Sequence, residues 1–277
     1  MSDKIKNLIT RALSGALFVA VMIASIWFNG DIFSIVFLLL TLIGLYEFYQ
    51  LVNRHLENCE VLTLPSVIGG EIVYLSTYLV FFKEQAAFWF ASPFLVFALL
   101  MIAELFRQKK NPIINISVSL LGILYVAVPF SLLSYVESTE YGSQMLIAFF
   151  ITIWASDTGA YLVGMLLGKH KMFERISPKK TWEGFIGGWL FSAIAGTIFF
   201  YLDYFPAFTL ISWISITALI FAFGVVGDLV ESLIKRSLNV KDSGKFLPGH
   251  GGLLDRFDSA LIASPALFFV ALFSFIC

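Results

Sequence analysis

Apolar stretches of about 20 residues, the length that crosses a bilayer as a helix, recur from one end of this chain to the other. Nine are legible, at residues 12–28, 32–52, 61–82, 86–106, 113–136, 143–168, 184–204, 208–234 and 259–277. Backbone groups in hydrocarbon must satisfy one another within the segment, so stretches of this length are helices. Composition points the same way. Only 13% of the 277 residues are charged while 59% are hydrophobic, and an ordinary soluble domain carries roughly 25% charged residues. The expected fold is an all-α polytopic membrane protein with about nine transmembrane helices.

The net charge of -1 hides an uneven distribution. If the nine stretches alternate across the membrane, 17 of the 18 basic residues fall on the side of the N-terminus and Lys83 alone on the other. The positive-inside rule then places the N-terminus in the cytosol and the C-terminus outside. Lys4, Lys6 and Arg11 ahead of an apolar run could imitate a signal peptide. No small-residue cleavage site follows, so this segment reads as a retained first helix. Balanced acid and base exclude a nucleic-acid binder. Cys59 and Cys277 have no framework or metal-ligand spacing. The division we expect is 1–142, a charge-poor scaffold of five helices facing lipid, and 143–277, four helices with the functional loops.

The densest polar chemistry lies in SLIKRSLNVKDSGKFLPGHGGLLDRFD, Ser232 to Asp258. It interleaves Lys235, Arg236, Lys241, Lys245, His250 and Arg256 with Asp242, Asp255 and Asp258, among glycines at 244, 249, 251 and 252. Glycines let a backbone approach a ligand closely, lysine and arginine answer phosphate, and carboxylates suit a Mg²⁺ that also holds substrate phosphates. A solvated topology-setting loop explains the basic residues, but neither the carboxylates nor the Gly-His-Gly-Gly run.

Upstream, helical spacing puts Gly224, Asp228, Glu231 and Lys235 on one face. Asp228 lies about 10 Å inside the end marked by Lys235, at ~1.5 Å per residue. A carboxylate at that depth needs a partner, and a bound cation is the natural one; an internal Glu231–Lys235 ion pair at i, i+4 would account for Glu231 but leave Asp228 unexplained. Asp157, in WASDTGAYLVG, is deeper still and reads as functional by default, with a helix-to-helix hydrogen bond as the alternative. The loop KHKMFERISPKKTWEG sets Arg175, Lys179 and Lys180 around Ser177 and Pro178, where paired lysines could receive a polyphosphate or merely set topology. Neither Gly164–His170 nor the residues around Lys245 have P-loop spacing. Gly184 and Gly188 form a small-xxx-small pair, a helix-packing signal. Glu47 and Glu104 are expected to reach the interface, and Glu71 to line a polar cavity or bond between helices.

These blocks resemble one family, the phosphatidate cytidylyltransferases, or CDP-diacylglycerol synthases. The resemblance runs along SLIKRSLNVKDSGKFLPGHGGLLDRFD, with WASDTGAYLVG and SPKKTWEG as similar blocks upstream; the first half is alike only in being hydrophobic. It implies a Mg²⁺-dependent nucleotidyltransferase that joins CTP and phosphatidic acid into CDP-diacylglycerol and pyrophosphate. It further implies a helical membrane homodimer with a polar cavity open to the cytosol. By the same resemblance, Asp228 and Asp255 match the metal-coordinating acids, with K⁺ as a candidate second cation. Asp157 and Asp258 are further acidic groups, and Lys179, Lys180, Lys241 and Arg256 phosphate contacts. Arg175, Lys235, Arg236 and Lys245 join the candidate substrate-binding set. His250 reads as a structural residue or phosphate contact rather than a base, because phosphatidate is already ionised near neutral pH.

Two other readings stay open on sequence. A CTP-dependent kinase for a membrane alcohol would move the γ-phosphate of CTP rather than its α-phosphate. A cation or phosphate transporter would also place acids in the membrane, but no internal repeat of the transporter kind is visible.

Overall fold

The computed structural model describes residues 3–28, 30–206, 208–244, 246 and 251–274. Ten α-helices and one β-hairpin account for nearly all of them: α1 (Asp3–Phe28), α2 (Gly30–His55), α3 (Thr63–Phe81), α4 (Ser92–Arg107), α5 (Pro112–Gly122), α6 (Val128–Glu137), α7 (Gly142–Leu167), β1 (Lys171–Phe173), β2 (Ser177–Thr181), α8 (Trp182–Tyr201), α9 (Leu210–Ser237) and α10 (Leu254–Ser274). Among the described residues, eight helical segments are long and apolar enough to cross a membrane, and the apolar part of α1, Ser14–Phe28, is shorter. The chain is a helical multi-pass membrane protein. Its apolar exposure fits lipid as solvent: Phe94 is 76% and Phe106 78% exposed on α4.

Among the described residues each of the nine apolar stretches falls largely on helix, with two local departures from the expected course of the chain. The stretch at 113–136 is not one regular helix, for α5 and α6 are joined by a wider π-type turn at Ile123–Ala127. Pro129, at the start of α6, lacks an N–H and its ring crowds the carbonyl four residues back, which a regular α-helix cannot absorb. The second departure is the β1–β2 hairpin. It is antiparallel, pairs Lys171 with Thr181 and Phe173 with Ser177, and is a small addition to a chain that is otherwise helical.

The residues group into two compact units, Met1–Ser138 with Ser237–Phe257, and Thr139–Arg236 with Asp258–Cys277. In the first, α2 and α3 pack together and against α6. Phe37, Phe130 and Phe257 meet edge to face, with centroids 5.0–6.2 Å apart. Several polar groups inside this unit are paired internally: Tyr49 Oη donates to Ser119 O at 2.6 Å, and Ser66 Oγ to Ser119 Oγ at 2.9 Å, whereas the Glu71 carboxylate is buried without a hydrogen-bond partner.

In the second unit, α7 and α8 form the most extensive helix pair. A Cβ on Gly184 would stand 2.9 Å from Ala160 O, and one on Gly188 would stand 3.0 Å from Ser156 O. The small-xxx-small pair is therefore packing, as its spacing suggested. Pro265 interrupts the hydrogen bonding of α10, and Ser264 Oγ donates at 3.2 Å to Leu261 O, the carbonyl that Pro265 cannot serve.

Candidate active site

The second unit gathers acid and base around the C-terminal half of α9. Gly227 has no side chain, so α9 packs against the α10 backbone at Asp258 and Ser259; a Cβ there would lie 3.0 Å from Ser259 Cα. Asp228 follows directly, and Asp258 feels the charges of Asp228, Asp157 and Lys235. Asp228 is half-buried and its Oδ2 lies 2.6 Å from Lys180 Nζ. Ser232 Oγ, one turn on, is 3.3 Å from Asp228 Oδ1. Lys235 Nζ bonds Glu231 Oε2 at 2.9 Å. The Glu231–Lys235 pair is the one the sequence offered, whereas the hairpin lysine beside Asp228 was not foreseen.

Local chemistry explains how Lys180 gets there. Thr181 caps α8, its Oγ1 accepting from Gly184 N at 3.1 Å. The Glu183 carboxylate accepts from Lys169 N at 3.1 Å and from His170 N at 3.2 Å, and sits 2.6 Å from His170 Nδ1. Trp182 N donates to His170 O at 2.9 Å. These bonds pin both ends of the hairpin to the first turn of α8. Arg236 Nε reaches Ile176 O at 3.3 Å at the hairpin tip, so it serves the hairpin here. Arg175 and Lys179 are exposed on the same hairpin. Asp157 is exposed despite its place well inside α7.

Asp255, Lys241 and Arg256 belong to the first unit. Lys241 and Arg256 are exposed. Asp255 stands in the first turn of α10 and its Oδ2 is engaged threefold: by Ser243 N at 3.0 Å, Ser243 Oγ at 3.1 Å and Gly252 N at 2.8 Å. Gly251 takes φ +85°, which a side chain would strain. Lys245 and His250, both candidates from sequence, lie outside the described residues. α10 begins at Leu254, not near Ser259, so Asp255 and Asp258 are one helical turn apart on a rigid element.

One residue of this region was underrated. Glu47, expected to reach the interface, is only 9% exposed. Its Oε1 accepts from Ser243 Oγ at 2.5 Å and Leu254 N at 3.1 Å, and its Oε2 from Leu253 N at 2.9 Å. The available signal was a lone acid inside the apolar run of α2; nothing nearby in sequence names its partners. Glu104 is likewise buried, held by Arg107 Nη1 at 2.7 Å and Asn115 Nδ2 at 2.5 Å.

The donors present are hard carboxylate oxygens, the type Mg²⁺ prefers. Among the described residues no three acidic, histidine or cysteine side chains converge as a ready-made metal cluster. An ion held here would take one or two carboxylates and complete its shell from substrate and water, the usual arrangement for Mg²⁺ with phosphates.

A membrane unit with carboxylates beside lysines suits a polyphosphate reaction, and comparison with known proteins gives it a lineage. The model of the cytidylyltransferase family matches residues 9–275. The chain belongs to this family. Among relatives, a phosphatidate cytidylyltransferase of Bacillus subtilis (strain 168) is 34% identical over 265 residues, covering 89% of this chain and 97% of that protein. One from Staphylococcus saprophyticus is 33% identical over 264 residues, covering 93% and 96%. One from Staphylococcus aureus (strain COL) is 45% identical over 150 residues, covering 53% and 56%. In this chain the Lys180–Asp228 pair sets a lysine cation directly against a carboxylate.

Proposed function

We propose that this chain is a CTP:phosphatidate cytidylyltransferase, making CDP-diacylglycerol and pyrophosphate for phospholipid biosynthesis at the cytosolic face of a cell membrane. The observation that carries the reading is the cluster of the second unit: Lys180 against Asp228 at 2.6 Å, with Asp157 and Asp258 in electrostatic reach, on helices apolar enough to span a bilayer. The names borne by the Bacillus and Staphylococcus relatives support the choice of lipid substrate. The reading includes nine membrane helices with a cytosolic N-terminus, supported by the one-sided distribution of basic residues. It also includes the homodimer that the family resemblance implies.

In this reaction a phosphate oxygen of phosphatidate attacks the α-phosphorus of CTP. The new P–O bond forms as the bond to the bridging oxygen of the β-phosphate breaks, and pyrophosphate leaves with that electron pair. Attacker and target are both anionic, so the site must cancel repulsion before reaction. Lys180, Lys179 and Arg175 on the hairpin, with Lys241, Lys245 and Arg256, receive phosphate oxygens; Lys235 and Arg236 keep the α9 end positive. Asp228 and Asp255 are the proposed metal ligands, and Asp157 and Asp258 shape the field around them. Mg²⁺ supplies charge neutralisation on the triphosphate and on the leaving pyrophosphate, with K⁺ as a candidate second cation. No protein base is required, which leaves His250 as a phosphate contact.

The test is turnover of purified protein with phosphatidate, Mg²⁺ and labelled CTP. Label from the α-phosphate is expected in lipid and label from the γ-phosphate in released pyrophosphate. Transfer of γ-label to lipid without α-label would identify a kinase instead.

A further inference from the structure

Glu47 takes no part in the reaction above, yet three donors engage its carboxylate. All come from the far end of the chain, two of them the backbone N–H groups of Leu253 and Leu254. Those groups open α10, where the first-turn N–H groups lack intrahelical partners and a negative charge is favoured by the helix dipole. The third donor, Ser243 Oγ, lies 2.5 Å from Glu47 Oε1 and 3.1 Å from Asp255 Oδ2. One hydroxyl proton therefore bridges the two carboxylates.

The glycines of this stretch fit the same arrangement. A Cβ on Gly244 would stand 2.5 Å from Glu47 Oε2, and one on Gly252 would overlap both Glu47 Oε1 and Ser243 Oγ. At these two positions the missing side chain admits the protein's own carboxylate rather than a ligand. Glu47 is thus bonded both to Ser243 and to the start of α10, and Asp255 is the next residue.

We propose that Glu47 is a positioning residue for Asp255: it holds Ser243 and the start of α10 so that the Asp255 carboxylate stays aimed at the metal. The proposal rests on the reading of Asp255 as a metal ligand. Ligating carboxylates are commonly fixed by such outer hydrogen bonds, whose loss costs 10–100-fold in metal affinity or activity.

Wild type, Glu47→Gln, Ser243→Ala and Asp255→Asn are compared as full-length protein in detergent. Glu47→Gln keeps the shape but turns one acceptor into a donor facing backbone N–H groups. Its Mg²⁺ midpoint in turnover is expected to rise about 10–100-fold while KM for phosphatidate stays within about twofold. Without substrates, amide hydrogen exchange at 252–254 is expected to quicken at least about tenfold, as for any opened helix start. Ser243→Ala moves both readouts in the same direction but less, and adds little on top of Glu47→Gln. A wild-type Mg²⁺ midpoint in Glu47→Gln, with Asp255→Asn defective, overturns the proposal and spares the ligand reading. A wild-type Mg²⁺ response in Asp255→Asn overturns both. If Glu47→Gln does not fold, Ser243→Ala decides, and an unchanged midpoint there rejects the proposal.

Discussion

Lys180 Nζ lies 2.6 Å from Asp228 Oδ2, joining the β-hairpin to the middle of the second unit's longest helix. Both side chains keep about a quarter to a third of their surface open, 25% and 33%. The pair is thus within reach of a ligand rather than sealed in a core. An acid and a base held in contact can exchange each other for a metal and a phosphate at little electrostatic loss, since each finds an opposite charge in both states.

Asp228→Asn is accordingly expected to lower Mg²⁺-dependent turnover by at least about 100-fold while the protein still inserts and purifies. Lys180→Met is expected to raise KM for CTP by about 10-fold or more, the scale of one lost charge-assisted bond. Steady-state kinetics with α-labelled CTP separate the two. Near-normal kinetics in Asp228→Asn would remove it from the metal site.

Asp258 sits among acids, in reach of Asp157 and Asp228, and its own Oδ1 accepts from Ser259 N at 2.6 Å. Asp258→Asn keeps that acceptor and removes a like charge. Its melting temperature in detergent is expected to rise by about 2 °C or more while turnover falls, the pattern of a site that trades stability for function. A melting temperature that falls together with activity would make Asp258 a structural residue.

Glu183 anchors the hairpin through Lys169 N, His170 N and His170 Nδ1. Glu183→Ala is expected to loosen the segment that presents Lys180, raising KM for CTP by about 5–10-fold with kcat nearly unchanged, as loss of ground-state binding does. A change confined to kcat would argue that the hairpin acts in the chemical step.

Gly252→Ala places a methyl group where Glu47 and Ser243 meet. Overpacking of this kind costs about 1–3 kcal/mol, so thermal unfolding should move down. Turnover should fall in the same variant, because Gly252 N is one of the donors that hold Asp255. An unchanged melting temperature would mean the loop yields freely and Glu47 does not hold it.

Topology is open to direct measurement. Cysteines placed at Lys110 and Lys83 should label from opposite faces of sealed vesicles, Lys110 from the cytosolic side. Labelling of both from one side would break the nine-helix reading.

Much of this was legible in the chain before any fold. Asp228 and Asp157 announced themselves because a carboxylate in an apolar helix is expensive, and that expense is visible one residue at a time. The Gly184–Gly188 spacing foretold close helix packing for the same local reason. The hairpin was not legible: Pro178 and the paired lysines read as a loop, and a three-residue strand has no periodicity to detect. Glu47 was legible only as an anomaly, since its partners lie 196 to 207 residues away along the chain.

Composition and residue order were enough to name the solvent, the helices and the segments where acids and bases gather, because hydrophobicity and residue type are local properties. Tertiary structure alone decided the pairings. Asp228 meets Lys180 because α8 is capped and the hairpin pinned to it. Asp255 is held through Ser243 because Glu47 caps a helix from another part of the chain. Such partners are chosen by packing across long sequence separations, and no local pattern encodes them.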